Sequence, residues 1–262
     1  MGRSVFVTSF KGGVGKTTVS ANLASALSML GKRVLVIDGD FGMRCMDIVL
    51  GLENSGVFDA YDVISGRCGV ESAMITDPEN GNLSFLPAPM GYDGARIDET
   101  TVKKLFVSLK KKFDYIIVDS AADISPFYLA FAASCDDAIV VSVHQATAIR
   151  AAEKTAMKLA SLGFKNLRLI INGFRFDAAK SGELPKISDI MKRVSVRLLG
   201  VIPYDSALPI DQDKGIVAYK EKRKHRAMYE CAVMNIAKRI TGNNVPLLDG
   251  IYKKDKRQKD LY

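Results

Sequence analysis

The 262-residue chain has no tryptophan, only two histidines, and four cysteines that stand far apart. Cys45, Cys68, Cys135 and Cys231 form no C-x-x-C or C-x-C pair, which excludes the usual zinc and shared iron–sulfur ligand spacings. Thiols scattered in this way fit a reducing compartment better than a disulfide framework. No stretch of about eighteen apolar residues occurs, so no membrane-spanning helix is predicted. An apolar strand begins within the first few residues, which leaves no room for a signal peptide. Met1-Gly2 invites N-myristoylation, but Phe6 stands where that signal wants Ser or Thr. A cytoplasmic protein is the expectation.

What the chain does have is a glycine loop. Lys11-Gly12-Gly13-Val14-Gly15-Lys16-Thr17-Thr18 follows the apolar run Val5-Phe6-Val7 and precedes a helical pattern from Thr17 to Leu30. Strand, glycine loop and helix in that order are the context of a phosphate-binding loop. Glycines let successive backbone N–H groups converge on phosphate oxygens. The helix turns its positive N-terminal end toward the same anion. Lys16 is placed to reach β- and γ-phosphates, and the Thr17 hydroxyl to ligate Mg²⁺. Lys11 is a second loop lysine. One lysine suffices for a nucleotide held within one chain, so the second suggests a reach to a γ-phosphate across a dimer interface, as an arginine finger makes. The plainer alternative is an exposed loop lysine.

Hydrophobic residues make up 48% of the chain, ample for the core of one large domain or two small ones. Val34–Ile37, Leu83–Ala88, Tyr115–Val118, Ala138–Val143, Leu167–Gly173 and Leu198–Pro203 read as strands. Several are apolar without alternation, which suits a parallel sheet covered on both faces. Helical patterns run over Thr17–Leu30, with a stripe of Leu23, Ala26, Leu27 and Leu30, and over Glu99–Lys112, Thr147–Leu162 and Glu221–Ile240. Short helical pieces broken by Gly66 and Gly69 lie between 57 and 75. The alternation predicts an α/β fold: a doubly wound, mostly parallel sheet of P-loop NTPase type with helices on both faces. Asp38-Gly39-Asp40 and Asp119 end two strands, at the edge where such sheets place ligands. Asn172-Gly173 and Pro203 end two others. Asn before Gly also reads simply as a turn. Lys110-Lys111-Lys112 reads as a solvated helix end, and His144, with no base or nucleophile partner in the pattern, as structural.

The net charge is +8 and the excess is local. Lys220–Arg226 holds five cations and one Glu, and Lys253–Tyr262 five cations and two Asp, so the remainder is nearly neutral. A protein coating its whole surface with nucleic acid would spread its charge. No repeat, low-complexity tract or linker precedes Gly242, which predicts one domain, 1–242, and a basic tail, 243–262.

The glycine loop resembles the deviant Walker A motif, K-G-G-x-G-K-[ST], of the MinD/ParA family of dimerising ATPases. Asp38–Asp47 resembles the MinD form of switch I, D-x-D-x-G-L-R-N-L-D, with Cys45 in place of Asn and Met43 and Met46 in place of Leu. Tyr115–Asp119 is similar to Walker B. Gln212–Val217 resembles a segment that follows the family's I-P-x-D element. The likeness spans roughly residues 3 to 240. It implies ATP and Mg²⁺ as cofactors and ATP hydrolysis as the activity. It implies phosphate contacts from Lys11, Gly12, Gly13, Val14, Gly15, Lys16, Thr17 and Thr18. It implies an attacking water on Asp40, a magnesium shell around Thr17, Asp38 and Asp119, and adenine beside Asn172 and Pro203. It further implies an ATP-dependent homodimer that positions a cell-division or other spatially regulated assembly through an unidentified partner protein. Two other activities of the scaffold compete: a ParA-type partition ATPase that binds DNA non-specifically, and a flagellar or secretion placement regulator. A metabolic P-loop kinase is disfavoured, because no phosphate-acceptor site is visible.

Two departures from the family pattern stand out. MinD proteins end in a basic amphipathic helix that lies on anionic membrane. Here Leu247, Leu248, Ile251 and Tyr252 precede the lysines instead of sharing a helix with them. A solvated tail is the preferred reading, against weak peripheral attachment to the inner face of the membrane at about 1 kcal/mol per charge. At switch II the family's D-x-P-[AP]-G reads Asp119-Ser120-Ala121-Ala122-Asp123. A glycine position with positive φ would strain Asp123, and its charge would repel a γ-phosphate. Both effects predict slow or altered hydrolysis.

Overall fold

The computed structural model of the chain describes residues 1–91, 98–218 and 228–250. Its sheet is built outward from β1 (Arg3–Thr8), which lies between β5 (Tyr115–Ser120) and β6 (Asp137–Ser142). β2 (Val34–Gly39) and β4 (Leu83–Leu86) extend one side, and β7 (Leu167–Phe174) and β8 (Arg197–Pro203) the other. All are parallel except β3 (Ile75–Thr76), antiparallel at the edge. The chain therefore leaves β1 toward β2 on one side and passes from β5 across to β6 on the other. That reversal at β1 opens a crevice at the carboxyl ends of the central strands, where α/β sheets take ligands.

Apolar side chains point alternately to two cores. Phe6, Leu35, Ile37, Ile116, Val118 and Val140 enter one, and Val5, Val7, Val36, Ile117 and Ile139 the other. The second core is covered by α1 (Lys16–Met29), α2 (Met46–Leu50), α10 (Ala207–Asp213) and α11 (Met228–Ile240). The first is covered by α3 (Ala60–Ile64), α4 (Val70–Ala73), α5 (Glu99–Lys112), α6 (Pro126–Ser134), α7 (Ala146–Ser161), α8 (Phe176–Ser181) and α9 (Ile187–Val194). With both faces covered, unbroken apolar strands are what burial requires.

The stripe read on α1 enters the core, with Leu23, Ala26 and Leu27 buried and Leu30 packed against them. This helix is buried from Val19 to Ser28, because α11 packs over the side away from the sheet. Its small polar residues are interior bonds: Asn22 Oδ1 accepts from Ala218 N–H at 2.7 Å, and Ser25 Oγ donates to Ala218 O at 2.6 Å. Lys110 is likewise no solvated end but a part-buried partner of Asp136 at 2.7 Å. The helices α6, α8 and α10 were not among the expected elements. The chain also keeps contact with the domain after Gly242: Leu248 is buried, and Asn235 Nδ2 donates to Asp249 O at 2.6 Å. The basic run Lys220–Arg226, the first turns expected of the last helix, and Lys253–Tyr262 lie outside the described residues.

Asn22→Ala leaves the buried Ala218 N–H without its acceptor and is expected to lower unfolding free energy by about 1–3 kcal/mol, read as a shift of the urea midpoint at unchanged slope. An exposed position would move it by no more than about 0.5 kcal/mol.

Candidate functional site

The loop after β1 turns through Gly13 and Gly15, both with positive φ, and enters α1 at Lys16. Gly15 caps the helix without any side-chain bond. The first helical hydrogen bond of its backbone runs from Val19 N–H to Gly15 O at 2.9 Å, so the N–H groups of Lys16, Thr17 and Thr18 precede it. An uncapped helix start with free donors is an anion site.

The two loop lysines part company. Lys16 is buried, close enough to Asp40 and Asp119 to oppose the rise that burial gives both carboxyls. Lys11 is only part-buried and makes no ion pair among the described residues.

Carboxylates face this loop from neighbouring strand ends. Parallel pairing sets Asp38 of β2 opposite Asp119 of β5. Both are buried. Burial, with Asp119 beside it, pushes the Asp38 carboxyl up to about 8; burial also pushes Asp119 up to about 6. Asp38 accepts from the N–H groups of Asp40 at 3.0 Å and Met46 at 3.4 Å, which ties switch I to the strand end. Asp119 accepts from the Ser20 hydroxyl at 2.9 Å, and the Thr17 hydroxyl lies near enough to favour its ionised form. Ser20 was not among the expected site residues, although it lies three residues after Thr17 and so on the same helix face. Beyond the strand, Arg44 adopts φ 41° and binds Asp47 at 2.9 Å with both side chains largely enclosed.

Asp40 is half-buried, and burial raises its carboxyl above the ordinary range. Lys16 opposes that shift and Asp123 adds to it, so switch II brings a second carboxylate toward the first. Asp123 is exposed and does not have a positive φ. The backbone strain expected of an Asp at this position is therefore absent, and only its charge remains.

On the far side of the loop, Asn172 Nδ2 donates to Val14 O at 2.9 Å and packs so close to Gly15 that a Cβ there would lie 2.3 Å from it. Pro203 ends β8 and lines a cleft of about 610 Å³ with Phe174, Arg175, Phe176 and Tyr204; Arg175 stacks on Tyr204 at 4.5 Å. His144 is buried against Phe174, ring centres 5.0 Å apart, and burial lowers its pKa, as a structural histidine's should be.

The donor set suits a small hard cation shared with phosphates: carboxylates and hydroxyls, all oxygen. Among the described residues no cluster of three or more His, Cys, Asp or Glu could hold a metal unaided. Mg²⁺ is characteristically bound by one or two carboxylates with the substrate's phosphates completing the shell.

Comparison with known proteins agrees with this geometry. Residues 5–219 match the family model described as the CobQ/CobB/MinD/ParA nucleotide binding domain. The chain belongs to that family. It is 37% identical over 250 residues to the septum site-determining protein MinD of Bacillus subtilis, covering 94% of this chain and 92% of that one. Its fold superposes on MinD of Aquifex aeolicus, solved in a MinC:MinD cell division protein complex, with a TM-score of 0.85 and 33% identity, over 94% and 98% of the two chains. Against MinD of Pyrococcus horikoshii complexed with Mg-ADP the TM-score is 0.81 at 28% identity, over 97% and 100%. This is a MinD-like member of the family, and the eight-stranded, mostly parallel sheet is that of MinD.

Because Asp38 and Asp119 bind protons more tightly folded than unfolded, the native state holds extra protons between the unfolded value near 4 and the folded values. Their contribution is fully present below about pH 4 and is lost as pH rises toward 8. Metal-free protein should therefore lose stability across pH 4–8, and Asp38→Asn should flatten that slope in urea midpoints measured against pH.

Proposed function

We propose that the chain is an ATP-dependent dimerising switch that binds Mg–ATP, hydrolyses it slowly, and uses the two nucleotide states to position a cell-division assembly. The observation that carries the reading is the division of labour between the loop lysines. Lys16 is buried among the site carboxylates, whereas Lys11 is only part-buried and makes no ion pair among the described residues, which supports a role for it at a second copy's nucleotide.

In that reading the N–H groups from Gly12 to Thr18 cradle the phosphates and Lys16 holds the β- and γ-phosphoryl oxygens. Thr17, Asp38 and Asp119 hold Mg²⁺, which when bound supplies charge neutralisation at the terminal phosphate. Asp40 orients the attacking water. Asn172 spends one amide hydrogen on Val14 and keeps the other, with its carbonyl, for adenine's N7 and N6 edge. Pro203 packs on the base. The second copy donates its Lys11 to the terminal phosphoryl group.

MinC stands beside MinD in the Aquifex complex, which supports a soluble partner protein of that kind here. An anionic membrane is favoured over DNA as a further surface, through the residues after Gly242 together with the N-terminal ends of the strands. There Arg3, Arg33, Lys111, Lys165 and Arg197 are all exposed and line shallow clefts. At that end Arg3 pairs with Asp137 and Arg33 with Asp114, so Lys111, Lys165 and Arg197 are the cations left there for an anionic surface.

With ATP, the protein is expected to run as a dimer in light scattering and to sediment with anionic liposomes, and Lys11→Ala to do neither while still binding ADP. Sedimentation with DNA in place of liposomes supports the partition reading, and a Lys11→Ala protein that dimerises normally removes the switch proposed here.

Asp123→Gly takes away one carboxylate from beside Asp40 and is expected to raise kcat for ATP hydrolysis about tenfold, read by phosphate release. An unchanged rate would show that the Asp123 charge does not retard the reaction.

A further inference from the structure

One contact joins the loop helix to α10 at the head of the Gln212–Val217 segment, to which no role has been given above. Gln212 Nε2 lies 2.7 Å from Thr18 Oγ1, joining positions 194 residues apart. An amide nitrogen only donates, so the Thr18 oxygen is the acceptor and its own hydroxyl proton is left over. A threonine in a helix commonly returns that proton to the carbonyl four residues back. For Thr18 that carbonyl belongs to Val14, which has one lone pair engaged by Asn172 at 2.9 Å and, among the described residues, makes no hydrogen bond to the Thr18 hydroxyl. Thr18 sits in the uncapped first turn of α1, where the free N–H groups face the anion site.

The platform behind Gln212 is rigid. Its neighbour Asp211 is buried and accepts from the buried Tyr229 hydroxyl of α11 at 3.0 Å. After α10, Gly215 meets Gly51 at the end of α2 so closely that a Cβ on Gly215 would lie 2.4 Å from the Gly51 Cα, and both have positive φ. Ala218 is then bonded at both N–H and C=O to Asn22 and Ser25 of α1. The segment 211–218 is thus anchored to α1, α2 and α11 at once.

We infer that Gln212 is a positioning residue for nucleotide binding, which holds the Thr18 oxygen as an acceptor and so directs the Thr18 hydroxyl proton to a phosphate oxygen. The inference rests on the nucleotide-binding reading above and adds to it a residue outside the loop. Gln212 acts only through Thr18, so removing either should have one and the same effect. The bond is a neutral one between part-exposed groups, for which a loss of about tenfold in affinity is the scale.

The test is a double-mutant cycle on the full chain, read as the Kd for Mg-ADP by calorimetry, with urea midpoints of the nucleotide-free proteins alongside. Gln212→Leu and Thr18→Val are each expected to weaken binding about tenfold, and the double variant also about tenfold. Gln212→Glu, which can only accept, is expected to weaken it at least as much as Gln212→Leu, with all midpoints near the wild type. Losses that multiply to about a hundredfold in the double variant, or a Gln212→Leu protein that binds like the wild type, overturn the assignment alone. A wild type that binds no Mg-ADP overturns the nucleotide reading and this inference with it.

Discussion

Two carboxylates that the sheet forces side by side set the terms for the rest of the molecule. Asp38 and Asp119 are register partners at the ends of β2 and β5, both buried, with Asp119 raising the cost of ionising Asp38 and Asp40 raising that of Asp119. Water cannot relieve them there, and isolated buried charge is expensive. The surroundings answer that cost in part. Switch I gives Asp38 two backbone N–H donors, α1 gives Asp119 two hydroxyls, and Lys16 lies close to Asp119. What remains is a demand for a cation, next to an uncapped helix end that demands an anion. A magnesium ion and a phosphate chain together satisfy both, and neither alone does so well. The site is thus held in a state whose favourable completion needs the whole metal–nucleotide complex.

The same contacts explain how a change at the phosphate would be felt elsewhere. The donors on Asp38 come from Asp40 and Met46, so the strand end is tied to the start of α2. The end of α2 then meets the turn after α10 backbone to backbone, with no side chain between to absorb a displacement. Contacts of that kind transmit small shifts, because packed glycine backbones have no rotamers to yield. From α10 a buried hydrogen bond reaches α11. The path from terminal phosphate to C-terminal helix is a chain of close, mostly buried contacts.

Legibility in the sequence followed the range of the chemistry. The loop, Asp38 and Asp119 could be read because their partners are a few residues away or fixed by strand ends. The strands could be read because parallel pairing leaves long apolar runs. The apolar stripe on α1 could be read, but its spacing does not tell that the helix is covered on both sides, which shows only when the partners of its Asn and Ser residues at 218 are known. The helix α6 hid for a related reason: Phe127, Tyr128, Ala130 and Phe131 give it no period, although Ser125-Pro126 is a good start signal and Ser125 does cap it. Gln212 and the second role of Asn172 depend on residues more than 150 positions distant. No local pattern encodes such a pairing.

Switch II shows how a departure from a family pattern can keep its meaning while losing one of its causes. An aspartate in place of a glycine suggests strain and charge together. The backbone at Asp123 lies outside the left-handed region, so the strain falls away. The charge stays, pressed toward Asp40, and the site then carries more negative charge than the family motif would give it. Lys16 is already engaged with Asp40 and Asp119. In the proposed dimer an extra cation from the second copy would therefore matter more here than in a site with glycine at switch II, because it offsets both the terminal phosphate and Asp123. Linkage makes that reciprocal: whatever tightens the nucleotide through a second copy's Lys11 tightens the dimer by the same factor. A substitution that slows the chemical step would, by the same electrostatics, lengthen the life of the paired state.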